Sequence, residues 1–408
     1  MKQDRAFPRV TITKKGEASV KTGHPWIYDT EVQGNTDALE NGSLVDAFSE
    51  KGAYLGTGFL SQRSKIRLRL ISNNANEKFD DAFYARRLRY ALDYRKTAMG
   101  DDYGCCRLIF GEADGLPGLT IDCYHDVLVS QVLSVGIERI KGTLYRLLVS
   151  LLQEDGISVR GIFERNEVAI RELEGLKLEK GWYRAEFLPE PPSPLIEIVE
   201  NGIYYAVDVE NGQKTGFFLD QKYNRVAAAK IAKGKRVLDC FTHTGSFALN
   251  AVKGGAAHVT AVDVSQAAID LAKANAERNG LYDRMDFVCA DVFDLLPKLM
   301  EQRAAYDMII LDPPAFTKSR KTIAGAERGY HTINYSAMKL LPRGGYLATC
   351  SCSHFMPSEL FERMLLSSAR EAGVSLKLIE ARRQAPDHPT LMNVPETDYL
   401  KFYLFQII

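Results

Sequence analysis

The chain has 408 residues, 46% of them hydrophobic and 25% charged, with 52 basic against 52 acidic side chains and a formal net charge of zero. That length exceeds one ordinary core and predicts two or three domains, and that composition excludes a disordered or low-complexity protein. The balanced charge excludes a chain that is basic overall, which leaves any nucleic-acid contact to a local basic patch.

The opening MKQDRAFPRVTITKKGEASV carries charges throughout and reads as neither a signal peptide nor an anchor. No segment reaches the roughly 18 continuous apolar residues of a membrane span. The seven cysteines contain no C-x-x-C pair, which argues against a disulfide framework and the usual zinc spacings; no metal site and a reducing cytoplasm are expected.

From Arg9 to about Ser72, short alternating segments (VTITKKG, GHPWIYDTEV, GSLVDAFSEKGAYLGTGFL, KIRLRLIS) predict a small β-rich module ending near residue 75. In its last strand Lys65, Arg67 and Arg69 alternate with Ile66, Leu68 and Leu70, so the cations share one face. Such a stripe is either a phosphate contact or the solvated outer face of a half-buried strand. Residues 79–97 then show helical spacing, followed by strand and turn alternation through GEADGLPGLTIDCYHDVLVSQVLS, a helix over IERIKGTLYRLLVSLLQE, and the strand VRGIFER. This α+β segment, in which Glu164 and Arg165 are expected to pair, ends at the PEPPSP cluster, Pro189 to Pro194.

From Leu195 onward the pattern becomes β-α-β: VLDCF, HVTAVDV, MDFVCA, DMIILD and GYLATCS alternate with helical segments, predicting an α/β, doubly wound parallel sheet. In such sheets ligands bind beyond the carboxyl ends of the strands. The first strand ends at Asp239 and opens into CFTHTGSF, where Gly245 marks a tight turn. The G-x-G-x-x-G of dinucleotide binders is absent, which favours S-adenosylmethionine, a donor without a pyrophosphate. Asp263 ends the second strand, about where ribose hydroxyls are met in such folds, and Asp291 follows the third, placed for an adenine amino group. Capping of the next helix is the competing role for each aspartate.

Asp312-Pro313-Pro314-Ala315-Phe316 follows the fourth strand as a stiff element that aims Asp312, with Phe316 able to stack on a planar base. The fifth strand ends TCSCSH, where Cys350 and Cys352 point to one side and lie beside Asp312 wherever the two strands are neighbours. A thiolate there could attack C6 of cytosine and make C5 a nucleophile; two buried packing thiols are the alternative.

GQKTGFFLDQKYNR (Gly212 to Arg225), LDCFTHTGSF, DPPAF and TCSCS, with GEADGLPGL, ERNE, DHP and PETDYLK, resemble the RlmI-like family of 23S rRNA cytosine-5 methyltransferases over essentially the whole chain. The resemblance implies an RNA-binding PUA domain (1–75), a central α+β domain (76–194) and a Rossmann-like methyltransferase domain (195–408), often dimeric, acting on rRNA or a ribosomal assembly particle. It implies that Cys352 is the nucleophile and that Asp312 bonds the cytosine N3 or amino edge, with Pro313, Pro314 and Phe316 about the base. Asp239, Gly245, Asp263 and Asp291 would line the methyl-donor pocket, closed over by Lys214 and Phe217. Lys65, Arg67 and Arg69 become an RNA contact, with Lys318, Arg320 and Lys321 a second candidate. Cys350 departs from the family, where an aromatic often stands, and the base that removes the C5 proton is Asp312, Cys350 or a water. An exocyclic-amine methyltransferase and a non-catalytic RNA-binding protein are the rival readings.

Overall fold

The computed structural model describes residues 7–317 and 319–408, with backbone alone at Arg320, and divides into two compact units. The first runs to Ile198 and takes in Val207–Leu219 and Pro386–Thr397; the second holds Val199–Ala206, Asp220–Ala385 and Asp398–Ile408.

The first unit opens with β1 (Arg9–Ile12), α1 (Lys14–Lys21), β2 (Trp26–Tyr28), β3 (Val32–Gln33), β4 (Leu44–Ser49), β5 (Tyr54–Leu60) and β6 (Ile66–Ser72). These strands form one sheet in the order β2-β6-β5-β4-β1-β3, closed over Val10, Ile12, Ile27, Val45, Ala47, Leu60 and Leu68. The strand alternation was legible; α1 was not. Thr13 caps it by accepting from the Gly16 amide at 3.3 Å, and Gly16 is required because a Cβ there would meet Ile12 Cγ2 at 2.5 Å.

Then come α2 (Asp81–Met99), β7 (Cys105–Phe110), β8 (Leu119–Tyr124), β9 (Val127–Val132), α3 (Val135–Glu154), β10 (Gly161–Asn166), α4 (Ile170–Leu173) and β11 (Glu179–Trp182), with a sheet ordered β11-β10-β9-β8-β7. Glu164 and Arg165 do not pair with each other: adjacent on β10, they point to opposite faces. Glu164 meets Lys141 at 3.0 Å and Arg165 meets Glu167 at 2.6 Å.

The boundary expected at residue 194 is not a single cut, because two later segments are bonded into the first unit. Thr215 Oγ1 donates to Asp122 Oδ2 at 2.6 Å, Arg165 Nη1 donates to the carbonyls of Val209 and Gly212 at 3.0 and 2.8 Å, and the Arg107 amide donates to Asp387 Oδ2 at 2.8 Å. Asp122 also receives both Nε and Nη2 of Arg107, at 2.7 and 2.9 Å, and the guanidinium holds its carboxyl below the usual carboxylate range against the opposing effect of burial.

A hairpin, β12 (Leu195–Glu200) and β13 (Ile203–Asp208), lends its tip to the second unit. That unit continues with α5 (Lys222–Ile231), β14 (Arg236–Cys240), α6 (Ser246–Lys253), β15 (His258–Asp263), α7 (Gln266–Arg278), β16 (Met285–Cys289), α8 (Val292–Glu301), β17 (Met308–Leu311), α9 (Ile323–Leu340), β18 (Tyr346–Ser351), α10 (Ser358–Ala372), β19 (Leu376–Arg382) and β20 (Lys401–Ile407). The sheet order is β16-β15-β14-β17-β18-β20-β19. Strands β14 to β18 are parallel, and β20 runs antiparallel between β18 and β19. The expected doubly wound α/β sheet is present, with strand order reversing between β14 and β17. On one face Leu238, Cys240, Ile309, Leu311 and Leu347 pack against Tyr330, Ile333 and Phe361 of α9 and α10. Among the described residues no helix is long and apolar enough to cross a membrane.

Candidate active site

Reversal of strand order opens a crevice between the ends of β14 and β17, where Cys240 is level with Leu311. The chain leaves β14 through an unusual loop: Phe241, His243 and Gly245 all have left-handed φ, at 65°, 51° and 81°. For Phe241 and His243 this conformation costs on the order of 1 kcal/mol or more each, a strain that clusters at functional sites. Gly245 precedes α6, and a Cβ there would sit 3.1 Å from Ala272 Cβ.

Asp239 is fully buried at the base of this loop. Its Oδ2 accepts from Thr242 Oγ1 at 2.6 Å and from the Ala248 amide at 2.9 Å, while Oδ1 and the nearby Thr244 Oγ1 are buried without a hydrogen-bond partner among the described residues. Burial pushes the Asp239 carboxyl up to about 7, with the charges of Asp312 and Asp263 adding to the shift. Asp263 ties the loops together, accepting from the His243 amide through Oδ2 and the Ser265 amide through Oδ1, both at 2.9 Å. Asp291 is exposed and caps α8, Oδ1 accepting from the Phe293 amide at 2.8 Å. The capping role is thus real for Asp291, yet a carboxylate oxygen has two lone pairs, so neither Asp263 nor Asp291 is exhausted by these bonds.

Across the crevice, Asp312 follows β17. Gln221 Nε2 donates to its Oδ1 at 2.9 Å, and Asn224 Nδ2 donates to the Gln221 side-chain Oε1 at 2.6 Å. Burial, and then the charge of Asp220, pushes the Asp312 carboxyl up to about 6; the Cys350 thiol is a further hydrogen-bond partner. Cys350 is fully buried and its thiol is pushed well above the ordinary range by desolvation. Parallel pairing of β17 with β18 brings the two motifs together as the strand ends predicted. Cys352, part-exposed, directs its Sγ at the Pro313 carbonyl, 3.7 Å away.

The serines flanking Cys352 are fixed from α9, where the buried Tyr330 hydroxyl meets Ser353 Oγ at 2.9 Å and Ser351 Oγ at 3.1 Å. Phe316 is not a free stacking platform. Its ring packs on Tyr330, centroids 4.6 Å apart, and on Phe293 at 5.8 Å, because the chain after Pro313 and the exposed Pro314 folds onto α8 and α9. From β20 the buried Lys401 Nζ donates to the carbonyls of Ser353 at 2.7 Å and Tyr399 at 2.8 Å.

The sequence pointed to neither Gln221, Tyr330 nor Lys401 as part of this cluster, although two of them lie in quoted motifs, GQKTGFFLDQKYNR and PETDYLK. Lys214 and Phe217 fall in the first unit: the Lys214 ammonium lies 4.9 Å over the Phe218 ring, and the carbonyl of buried Phe217 accepts from the Tyr124 hydroxyl at 3.4 Å. The basic stripe is corrected as well. Lys65 is exposed and Arg67 half-buried, but Arg69 is buried and ion-paired to Glu174 at 2.9 Å, because its side of the strand is covered there. Lys318 and the Arg320 side chain lie outside the described residues.

A family model described as S-adenosylmethionine-dependent methyltransferase matches residues 179–406, and a PUA-like domain model matches residues 10–73. The protein named Ribosomal RNA large subunit methyltransferase I of Klebsiella pneumoniae (strain 342) is 39% identical over 407 residues, covering 99% of this chain and 100% of the relative. The protein of that name from Escherichia coli O157:H7 is 38% identical over 402 residues, covering 98% and 99%. Among solved structures, one described as a SAM-dependent methyltransferase from Streptococcus mutans has a TM-score of 0.81 at 23% identity, covering 98% of this chain and 100% of that one. A methyltransferase complexed with SAH has a TM-score of 0.84 at 22% identity with the same coverage. At these identities the structures speak to the fold.

Proposed function

Because this chain belongs to the S-adenosylmethionine-dependent methyltransferase family of the ribosomal RNA large subunit methyltransferase I proteins, we propose that it methylates C5 of a cytosine in large-subunit rRNA, naked or in an assembly particle. The observation that carries the reading is the meeting of Asp-Pro-Pro with Ser-Cys-Ser, Cys352 Sγ against Pro313 O and Cys350 against Asp312.

The crevice residues fit the methyl donor. Asp239 Oδ1 and Thr244 Oγ1, buried without partners among the described residues, suit its ammonium and hydroxyl groups, Gly245 leaves room at the turn, and Asp263 and Asp291 retain acceptor capacity for ribose and adenine. When bound, the donor supplies an electrophilic methyl group on a sulfonium whose loss leaves a neutral thioether.

The Cys352 thiolate adds to C6, and the ring double bond shifts to C4–C5 as N3 takes a proton. Asp312 is suited to give that proton, because a carboxyl titrating near 6 holds one at lower cost than an ordinary aspartate. When C5 takes the methyl group the C4–C5 double bond is spent, C4=N3 re-forms and N3 gives up its proton to water. Asp312, ionised since the first step, is then available to accept the C5 proton, and the electron pair released restores C5=C6 and expels the thiolate. Cys350, kept protonated by burial, serves as a donor to Asp312 and not as this base. Lys65 and Arg67 would hold RNA phosphates.

The test is methyl transfer from labelled S-adenosylmethionine to large-subunit rRNA lacking its cytosine-5 marks, by wild type and Cys352→Ala, with the nucleoside identified by mass. 5-Methylcytidine made by wild type and absent with the variant is expected. Methyl on a nitrogen, or an active variant, overturns the covalent reading.

A further inference from the structure

Lys401 stands where an apolar residue would be cheaper. It opens β20, paired antiparallel with Ser351 of β18, and is 5% exposed. A buried ammonium has to be satisfied or neutralised, yet among the described residues it makes no ion pair to a carboxylate; Asp398, the acid beside it, is paired with Arg383 at 2.9 Å. Two of its three hydrogens go to the carbonyls of Ser353 and Tyr399. The first of these lies one residue past Cys352, so the ammonium is fastened to the turn that carries the thiol.

We propose that Lys401 is the positioning residue of Cys352, holding the Ser351–Ser353 turn in place and favouring the thiolate through its fixed positive charge. The inference rests on the reading of Cys352 as nucleophile. A cation fixed beside a cysteine stabilises its ionised form, and the thiolate is the attacking species. The titratable groups facing Lys401 are Cys352 from the end of β18, Asp398 with Arg383 behind it, and Tyr330 of α9, which reaches the turn through the two serines. Burial lowers the Lys401 ammonium to about 8, opposed by Cys352 and Asp398, so at neutral pH it remains charged.

The experiment measures alkylation of the Cys352 peptide by iodoacetamide, read by mass spectrometry from about pH 6 to about pH 9.5, in the full chain without RNA. Exposed Cys289 in the same samples is the reference. In Lys401→Met the Cys352 profile is expected to move up by about one pH unit, roughly tenfold slower labelling at neutral pH, with Cys289 unchanged, and Lys401→Arg is expected to restore the wild-type midpoint. An unmoved Cys352 profile in a Lys401→Met protein that still binds S-adenosylmethionine overturns the proposal. So does a wild-type midpoint at or above about 8.5, the value of an ordinary thiol, which needs no folded variant. The covalent reading fails separately, through an active Cys352→Ala, and that result leaves the thiol profile unaffected.

Discussion

Gln221 holds Asp312 by one oxygen, its Nε2 on Oδ1 at 2.9 Å, and is itself fixed by Asn224. The carboxyl is therefore held through Oδ1 by Gln221, with the Cys350 thiol as its further partner. Gln221→Leu removes a bond that lowers the Asp312 pKa, so the limb of the pH–rate profile governed by Asp312 should move upward from about 6. The freed rotamer should also cost roughly ten- to a hundredfold in single-turnover rate. Pre-steady-state methyl transfer across pH reads both effects; an unchanged midpoint would separate Gln221 from the titration of Asp312.

Asp239 makes folding pH-dependent in the unusual direction. Its folded pKa, about 7, lies above the unfolded value of 3.8, so the unfolded chain ionises first and stability is lost as pH rises between those values, then levels off. The shift of about three units corresponds to ~4 kcal/mol. Asp239→Asn should flatten that dependence and melt higher than wild type at about pH 8 without ligand, while binding S-adenosylmethionine more weakly. Differential scanning calorimetry against pH, with titration calorimetry for the cofactor, measures both.

What could be read from the chain and what could not divide along physical lines. Asp239, Asp263, Asp291, Asp312 and Cys352 sit at or just past the ends of hydrophobic strands, and the switch-point rule is local enough to place them. Helix α1 was missed because KKGEASVK has little helical pattern and a glycine that only packing against Ile12 explains. Lys401 was passed over because β20, an antiparallel strand after a long irregular stretch, has no β-α-β neighbour to announce it. Thr215 and Asp387 join the first unit through partners 93 and 280 residues away, separations that no window reports. Phe316 looked like a stacking ring because its neighbours Tyr330 and Phe293 come from helices whose packing the motif does not encode.

Tyr330→Phe tests whether the serine clamp matters to the chemistry. The hydroxyl's two serine contacts are worth about 1 kcal/mol each in stability. The variant should fold, melt a few degrees lower, and lose turnover while its affinity for S-adenosylmethionine is kept. A normal rate constant would confine Tyr330 to packing beneath Phe316.

The basic face of β6 separates two kinds of arginine. Arg69 balances Glu174, whose Oε2 accepts from the Val135 amide at 3.3 Å, so Arg69→Ala leaves a buried carboxylate uncompensated and should cost roughly 3 kcal/mol or more of stability. Lys65 and Arg67 keep surface exposure. On the proposed role Lys65→Glu with Arg67→Glu should leave the melting temperature within a degree or two while weakening RNA binding. The slope of log affinity against log salt should fall by about one to two. Filter binding at several salt concentrations reads the slope; a double variant with wild-type slope would move the RNA contact off this strand.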